Sequence, residues 1–285
     1  MIKKSYAKIN LALEILGKLD NDFHEISTII QTIDLYDTII FKKSSDISLK
    51  CNIKAIENEN NLIIKTIKLL KKKYNYPGGI AITLDKKIPI SSGLGGGSSN
   101  AATTLLTLKE LWKLPISKKE LLNIALDIGS DVPYFIHGGT ALVKGRGEKI
   151  EKLPPIEPNL KILIFLPETY THNKTTSMYK FISRTFFTKE EYIKKLVQQI
   201  KLKMPIDSTL CHNVFENILL STKPKISNQF KFIQSSIDKN IHLTGAGMTM
   251  FLISTNDAYL YEAQKKINDS TNLVSLITRT IKTEI

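Results

Sequence analysis

Residues 88–101 read Ile-Pro-Ile-Ser-Ser-Gly-Leu-Gly-Gly-Gly-Ser-Ser-Asn-Ala, and four of the fourteen glycines of the chain lie in this stretch. Before it, residues 79–84 (GIAITL) are short and rich in β-branched side chains, which predicts a strand. After it, residues 98–114 carry leucines at helical spacing. The order is therefore strand, glycine loop and helix N-terminus. This order favours binding of an anion, most often phosphate, because the unpaired N–H groups at the helix start stay accessible beside glycine.

Two common phosphate-binding patterns do not fit this loop. A P-loop ends in Gly-Lys-Ser/Thr, and no lysine follows Gly97. The dinucleotide pattern G-x-G-x-x-G needs a third glycine where Ser98 stands. A connector without a ligand is the alternative, but the flanking strand and helix favour a phosphate loop of another kind.

The composition limits the classes of partner. A chain of 285 residues can hold one large domain or two modest ones. The net charge of +13 would suit a nucleic-acid or membrane-surface partner. However, only three of the 40 basic residues are arginine, namely Arg146, Arg184 and Arg279, whereas proteins that read bases or clamp phosphates rely on arginine. We therefore expect a small-molecule substrate and no nucleic-acid partner.

The cysteines and the apolar segments predict the cellular location. Cys51 and Cys211 stand far apart in the sequence and are expected to be unpaired thiols in a reducing compartment. The first residues form no signal segment, and the apolar run 162–166 is too short to span a bilayer. The sequence predicts a cytoplasmic protein without a membrane partner. We expect a monomer or weak homodimer, an expectation that no sequence feature carries.

In the first part of the chain, residues 5–16 alternate between apolar and polar side chains, which predicts a half-buried strand with Lys8 and Asn10 on one face. A solvated lysine is the simpler interpretation of Lys8. Further strands are predicted at 26–33, 37–43 and 46–51, and a helix at 61–76.

The second candidate for a catalytic residue is an acid that follows a predicted helix. Ser117 to Glu120 reads as a capping box that opens a helix ending near Gly129. Asp131 comes directly after it, where an acid is more often a cap or turn former than a catalyst. The prolines at 152–158 predict a boundary between domains 1–153 and 154–285.

The second half of the chain reads as an α+β unit. A strand is predicted at 160–166. Helices are predicted at 173–182, at 188–203 after a capping box from Thr188 to Glu191, at 212–220 and at 226–239. Residues 241–280 read as strand, turn, strand, helix and strand, which is typical of a ferredoxin-like half.

Four blocks together carry a family resemblance: 7–11 with Phe23-His24, 89–99, 129–133 through Gly147-Glu148, and 244–249. In order and spacing they resemble the GHMP small-molecule kinases, most closely the diphosphocytidyl-methylerythritol kinase branch, over nearly the whole chain. The resemblance implies an α+β, two-domain GHMP kinase fold, with an N-terminal ribosomal-protein-S5-like domain and a C-terminal ferredoxin-like domain.

The resemblance also implies a reaction and its residues. It implies transfer of the ATP γ-phosphate, with Mg²⁺, to the tertiary 2-hydroxyl of the methylerythritol unit, a step of the non-mevalonate isoprenoid pathway. Lys8 and Asp131 match the catalytic pair. The matched ATP site comprises Asn61 near the adenine and the triphosphate loop Pro89, Ile90, Ser91, Ser92, Gly93, Leu94, Gly95, Gly96, Gly97, Ser98 and Ser99. The matched acceptor site comprises Asn10, Phe23, His24 and Tyr179. Gly245 and Gly247 match substrate-binding positions that would let the C-terminal half approach the phosphates. The protein ligands of Mg²⁺ are not predicted.

This chain departs from the family at two places, of which the first is minor: Ser91-Ser92 stand where glycine or alanine is common. The family usually has Asp-Gly-Tyr-His where Asn21-Asp22-Phe23-His24 stands here, so Phe23 keeps a stacking face without a hydroxyl. Two alternatives remain open: a GHMP kinase for mevalonate or homoserine, and a nucleotide-binding protein without catalysis.

Overall fold

The chain folds into two β-sheets with helices packed against them. The computed structural model describes residues 1–19, 23–166, 178–222 and 224–282. The strands are β1 (Ile2–Lys18), β2 (His24–Ser44), β3 (Ile47–Cys51), β4 (Gly79–Asp85), β5 (Thr140–Gly145), β6 (Lys149–Lys152), β7 (Lys161–Leu166), β8 (His242–Leu243), β9 (Met250–Ser254) and β10 (Val274–Arg279). The α-helices are α1 (Leu62–Tyr74), α2 (Gly96–Leu111), α3 (Lys118–Ile128), α4 (Val132–His137), α5 (Glu191–Lys201), α6 (Phe215–Thr222), α7 (Pro224–Ser236) and α8 (Asp257–Ser270).

The first sheet has the strand order β3-β4-β2-β5-β6, with β1 paired to β2. The prediction of separate strands at 26–33 and 37–43 is wrong, because β2 runs unbroken from His24 to Ser44. Strand β1 pairs antiparallel with β2 along nearly its whole length, and the pairing continues past register shifts such as the one between Tyr6 and Ala7. Pairing with β1 thus keeps β2 extended where its side chains show no clear alternating pattern.

Strand β1 is buried on both faces, which corrects the prediction of a half-buried strand. Lys8 and Asn10 are only 5% and 4% exposed, so the solvated interpretation of Lys8 is wrong as well. Helices α2 and α5 both contact this strand. A lysine buried to this extent needs compensating polar partners, because an isolated buried charge is costly.

The helices of the first half follow the predicted signals. Asn61 caps α1, its Oδ1 accepting the Ile63 N–H at 2.9 Å, and Ile64, Ile67 and Leu70 are buried as predicted. Ser117 Oγ accepts the Glu120 N–H at 3.2 Å and opens α3, which ends before Gly129.

The second sheet has the order β10-β7-β9-β8. Its pairs are antiparallel, with β7 in the centre between β10 and β9. The chain order of strand, helices, two strands, helix and strand confirms the ferredoxin-like prediction.

One core region is shared by the two sheets. Ile9 and Leu11 of β1 pack in the same cluster as Ile162 and Ile164 of β7 and Phe251 of β9. The proline-rich segment lies between β6 and β7. The division into 1–153 and 154–285 stays a prediction.

The start of α5 corrects the second capping box. The helix begins at Glu191 after Glu190, which has a left-handed backbone (φ 64°) and no side-chain cap. The cap comes from Glu14 of β1 instead, whose carboxylate accepts the N–H groups of Glu191 and Ile193 at 3.1 and 2.8 Å. Of the helix predicted at 173–182, residues 173–177 lie outside the described ranges.

Candidate active site

A cleft lined by residues from both halves of the chain has a volume of about 1580 Å³. A pocket for one small-molecule ligand typically has a volume of about 300–1,000 Å³. This cleft has a larger volume, which suits two substrates. It brings together ten of the predicted site residues: Lys8, Asn10, Phe23, His24, Ser91, Gly93, Asp131, Tyr179, Gly245 and Gly247. The other predicted residues do not line it: Asn61, Pro89, Ile90, Ser92, Leu94, Gly95, Gly96, Gly97, Ser98 and Ser99.

The glycine loop joins β4 to α2, as predicted. Its left-handed positions are Ser91 (φ 58°), Gly93 (φ 86°) and Gly95 (φ 73°). Helix α2 begins at Gly96, two residues earlier than predicted. Within the described residues, the N–H groups of Gly96, Gly97 and Ser98 have no hydrogen-bond acceptor. These N–H groups and the helix dipole both favour negative charge at this end of the helix.

Lys8 is held by Asn10, two residues along β1. The Lys8 Nζ donates to Asn10 Oδ1 at 2.6 Å, and the Asn10 amide nitrogen donates to Thr28 Oγ1 at 2.8 Å. Thr28 in turn donates to the Ala12 carbonyl. This chain of bonds orients the Asn10 oxygen toward the ammonium group. Burial lowers the pKa of Lys8, and the charge of Asp131 opposes that shift.

Asp131 occupies the residue before α4, but its side chain forms no cap. In the described part of the chain its carboxylate has no hydrogen-bond or ion-pair partner, Lys8 included. The two residues line the same cleft, and Asp131 influences the pKa of Lys8 through space. The ammonium and the carboxylate therefore share the cleft without forming an ion pair, and the cap interpretation of Asp131 is wrong.

Aromatic side chains cluster at another part of the cleft. Phe23 is 56% exposed, and the Arg146 guanidinium lies 5.2 Å from its ring centroid. The rings of His24 and Tyr179 are 5.5 Å apart, and Tyr179 packs edge-on against Phe215. Burial lowers the pKa of His24, and Lys18 lowers it further, and both favour the neutral ring. Neutral imidazole has both a donor and an acceptor nitrogen for a polar ligand edge.

The turn at 245–247 closes the cleft from the second half of the chain. A Cβ on Gly245 (φ 61°) would lie 3.0 Å from Asn10 Oδ1 and 3.5 Å from Lys8 Nζ. A Cβ on Gly247 would lie 2.8 Å from the Ser92 carbonyl oxygen. Thr249 Oγ1 also donates to that carbonyl at 2.6 Å. The turn can therefore lie this close to the glycine loop because Gly247 has no side chain.

Comparison with known proteins gives the family. The model for the GHMP kinases N terminal domain matches residues 61–139. The 4-diphosphocytidyl-2-C-methyl-D-erythritol kinase of Clostridium novyi (strain NT) is 34% identical over 290 residues, covering 99% of this chain and 100% of that protein. The chain belongs to the 4-diphosphocytidyl-2-C-methyl-D-erythritol kinase family. The family member from Thermoanaerobacter pseudethanolicus is 48% identical over 161 residues, or 56% of each chain.

The fold comparison agrees with this family. A crystal structure of 4-(cytidine 5'-diphospho)-2C-methyl-D-erythritol kinase superimposes with a TM-score of 0.81, at 22% identity, over 99% of this chain and 100% of that one. The predicted GHMP kinase fold and the prediction of a small-molecule kinase are confirmed, and kinases of this group use ATP as a substrate. Across the residues described, no helix has both the length and the apolar character needed to cross a bilayer.

Asn61 has a structural use that the family resemblance does not reveal. Besides capping α1, it donates through Nδ2 to the Ile56 carbonyl at 2.8 Å. The adjacent Leu62 lies 3.7 Å from where a Cβ on Gly97 would be, so Asn61 borders the start of α2. Its role beside the adenine stays a prediction.

Several residues that line the cleft, among them Arg146 and Thr28, were not predicted as site residues from the sequence. Arg146 could have been noticed, since it is one of three arginines and lies between Gly145 and Gly147. Thr28 has no local signal, because its bond to Asn10 crosses between strands. Asn21 and Asp22, the other departures from the family pattern, lie outside the described residues.

Proposed function

We propose that this chain transfers the γ-phosphate of ATP to the 2-hydroxyl of 4-diphosphocytidyl-2-C-methyl-D-erythritol, in the non-mevalonate pathway to isoprenoid precursors. One observation carries the proposal. A single cleft joins Lys8 and Asp131 to a glycine loop on one side and to an aromatic group of Phe23, His24 and Tyr179 on another. The first side suits a triphosphate and the second suits a nucleobase.

Lys8 and Asp131 are proposed as the catalytic pair. Phosphoryl transfer depends mainly on positioning and on neutralising charge. The acceptor 2-oxygen forms a bond to the γ-phosphorus, the bond from that phosphorus to the β–γ bridging oxygen breaks, and ADP leaves. The Asp131 carboxylate orients the hydroxyl and takes its proton late in the step. Lys8, held by Asn10, offsets negative charge on the transferring group.

At the phosphate side, the loop from Pro89 to Ser99 would surround the triphosphate. The free N–H groups at the start of α2 would donate to phosphate oxygens. Gly245 and Gly247 would let the second half approach those oxygens closely. We place the adenine beside Asn61, as part of the wall of its pocket rather than as a hydrogen-bond partner, because its side chain is used to cap α1.

The chain fits a Mg²⁺ ion that is held largely by ATP. Within the described ranges there is no cluster of three His, Cys, Asp or Glu residues arranged to hold a metal. Mg²⁺ commonly keeps several waters and binds through substrate phosphates and few protein ligands. Ser98 is half-buried, and its hydroxyl has no hydrogen-bond partner in the part described. Ser98 would supply one oxygen ligand, and the bound ion would offset charge on the β- and γ-phosphates.

At the other side, we propose that Phe23 and Tyr179 hold the cytosine ring and that His24 hydrogen-bonds its edge. Base–aromatic stacking is worth about 1–3 kcal/mol per base. A GHMP kinase for mevalonate or homoserine would have no use for an aromatic group here, because those acceptors have no ring to stack. We further propose a cytoplasmic enzyme that acts as a monomer or weak homodimer without nucleic-acid or membrane partners, consistent with the free, buried Cys51 and Cys211.

The test is an acceptor panel. Purified protein is given ATP and Mg²⁺ with the cytidine-diphosphate acceptor, mevalonate or homoserine, and ADP release is followed together with phosphorylated product. We expect turnover with the cytidine-diphosphate acceptor alone. Comparable or faster turnover of mevalonate or homoserine would contradict the proposed acceptor. ATP binding without turnover of any acceptor would favour a non-catalytic nucleotide-binding protein.

A further inference from the structure

A buried ion pair lies beneath the glycine loop, outside the cleft. Lys86 Nζ and Asp37 Oδ2 are 2.8 Å apart, with side-chain exposures of 5% and 0%. Asp37 belongs to β2, and Lys86 directly follows β4. A buried ion pair is often no more stable than a well-packed apolar pair of the same size. Stability alone is therefore a weak reason for these two charges, and their other hydrogen bonds indicate what they do.

Asp37 and Lys86 hold the beginning of the glycine loop. Asp37 Oδ1 accepts the backbone N–H groups of Lys87 and Ile88, each at 2.8 Å. Lys86 Nζ donates to the Ile88 carbonyl at 2.6 Å. Both polar groups of the Ile88 backbone are thus bound by the pair, just before the loop turns through its left-handed residues.

The same carboxylate also holds the helix that ends the loop. Asp37 Oδ2 accepts from the side-chain amide of Asn100 in α2 at 2.9 Å. That amide also donates to Ser5 Oγ at 2.9 Å, and Ser5 donates to Ser99 Oγ at 2.8 Å. Asp37 therefore accepts four hydrogen bonds, two from the start of the loop, one from Lys86 and one from α2.

Lys86 also lies directly against the first helical residue. A Cβ built on Gly96 would be 2.7 Å from Lys86 Nζ and 2.9 Å from Ile88 Cγ2. Gly96 has an ordinary helical backbone, so its lack of a side chain serves this contact rather than a left-handed turn. Burial lowers the pKa of Lys86, and Asp37 opposes the shift. The ion pair is packed against the start of α2.

We propose that Asp37 and Lys86 are positioning residues of the ATP site, which fix the two ends of the glycine loop relative to each other. The inference rests on the proposed function, in which this loop binds the triphosphate. Hydrogen-bond donors that are already oriented need no reorganisation when an anionic ligand binds. Displacing such donors by about 1 Å can cost a large factor in activity. The pair touches neither substrate and acts through the N–H groups of Gly96, Gly97 and Ser98.

The experiment compares the double variant Asp37→Asn/Lys86→Met with wild type. Removing both charges avoids a buried unpaired ion, which is the costly outcome of either single change. We expect the KM for ATP, and the Kd for ATP by calorimetry, to rise by about tenfold or more, because the loop donors lose their fixed positions. The KM for the cytidine-diphosphate acceptor should change by less than about twofold, since the aromatic group is elsewhere in the cleft.

The matched control is Glu14→Gln. Glu14 is likewise a fully buried carboxylate that accepts two backbone N–H bonds, but it caps α5 rather than the loop. This control should lower the melting temperature and leave the KM for ATP unchanged.

Three results would overturn the proposal: an unchanged KM for ATP in the folded double variant, equal losses for both substrates, or an equal rise in the control. If the double variant does not fold, Asn100→Ala, which removes the bonds from α2 to Asp37 and to Ser5 and leaves the ion pair intact, must raise the Kd for ATP selectively. Nucleotide binding by calorimetry needs no acceptor. Failure of the acceptor assay in wild type is therefore distinct from failure of this inference.

Discussion

The phosphate side and the nucleobase side of the cleft are built in different ways. At the phosphate side, the glycine loop lines the cleft at Ser91 and Gly93, and the expected ligand groups are the backbone N–H groups at the start of α2, next in the chain. Asp37 and Lys86 hold the beginning of this loop. At the nucleobase side, the expected ligand groups are the rings of Phe23, His24 and Tyr179, and Phe23 is 56% exposed. The first side depends on backbone geometry, and the second depends on a few side chains.

This difference indicates how each side tolerates change. A backbone site fails when any neighbouring side chain pushes the loop aside, since packed interiors leave little room for adjustment. An aromatic site loses only the contact of the ring that is changed. The departure at Phe23, where the family usually has tyrosine, lies on the tolerant side. The predictions below test this contrast.

The largest expected effect comes from the residue between the two sides. Asp131→Asn should lower kcat by roughly 10²- to 10⁴-fold, the usual range for a lost general base, and leave ATP binding intact. Steady-state kinetics and calorimetry measure the two quantities. The matched control is Asp127→Asn, four residues earlier in the same cleft wall, which should keep near-normal turnover. Equal turnover of the two variants would exclude Asp131 as the base.

Gly96→Val tests the phosphate side. The new side chain would meet Lys86 Nζ and Ile88, so the loop must move, and the KM for ATP should rise by roughly a hundredfold. The physical cause is crowding at a helical residue, not a left-handed backbone. Gly17→Val in β1 is the control, because a Cβ there meets nothing within 4 Å. Unchanged ATP affinity in Gly96→Val would mean that the loop is only a connector.

Phe23→Ala tests the nucleobase side. Loss of a stacked ring should raise the KM for the cytidine-diphosphate acceptor by roughly ten- to a hundredfold, with little change in the KM for ATP. The melting temperature should barely move, because Phe23 is exposed and not a core residue. Phe232→Ala, an exposed phenylalanine on α7 that does not line the cleft, is the control. A parallel loss for ATP and acceptor would refute the assignment of the two sides.

The smallest expected effect is in the pH dependence of kcat/KM for ATP, which reports the titration of groups in the free enzyme. Burial lowers the pKa of Lys8 in the free protein from its ordinary value of 10.5, and only the protonated amine offsets phosphate charge. The value of kcat/KM should therefore be fully present below the lowered pKa and decline as the pH rises through it, before 10.5 is reached. Melting temperatures over the same pH range separate this decline from unfolding. A kcat/KM that stays constant up to the ordinary lysine pKa would contradict a role for the Lys8 charge.

Much of the fold could be predicted because its signals are local. The strand before the glycine loop, the helix after it and the capped start of α1 follow from side-chain periodicity and from hydrogen bonds within a few residues. Ten predicted site residues lie in one cleft, since the family blocks carry the residue types that the chemistry needs. The errors include the break predicted within β2, the half-buried face of β1 and the start of α5, where distant partners decide the outcome.

The sequence by itself determined the strand–loop–helix unit, the family and the residue types of the site. Only the tertiary structure decided that Lys8 is buried, that Glu14 caps a helix 177 positions away, and that Asp37 joins both ends of the loop. The physical reason is distance along the chain. A hydrogen bond between remote residues imposes no period and no turn on either segment, so it leaves no local pattern, and folding alone brings its two partners together.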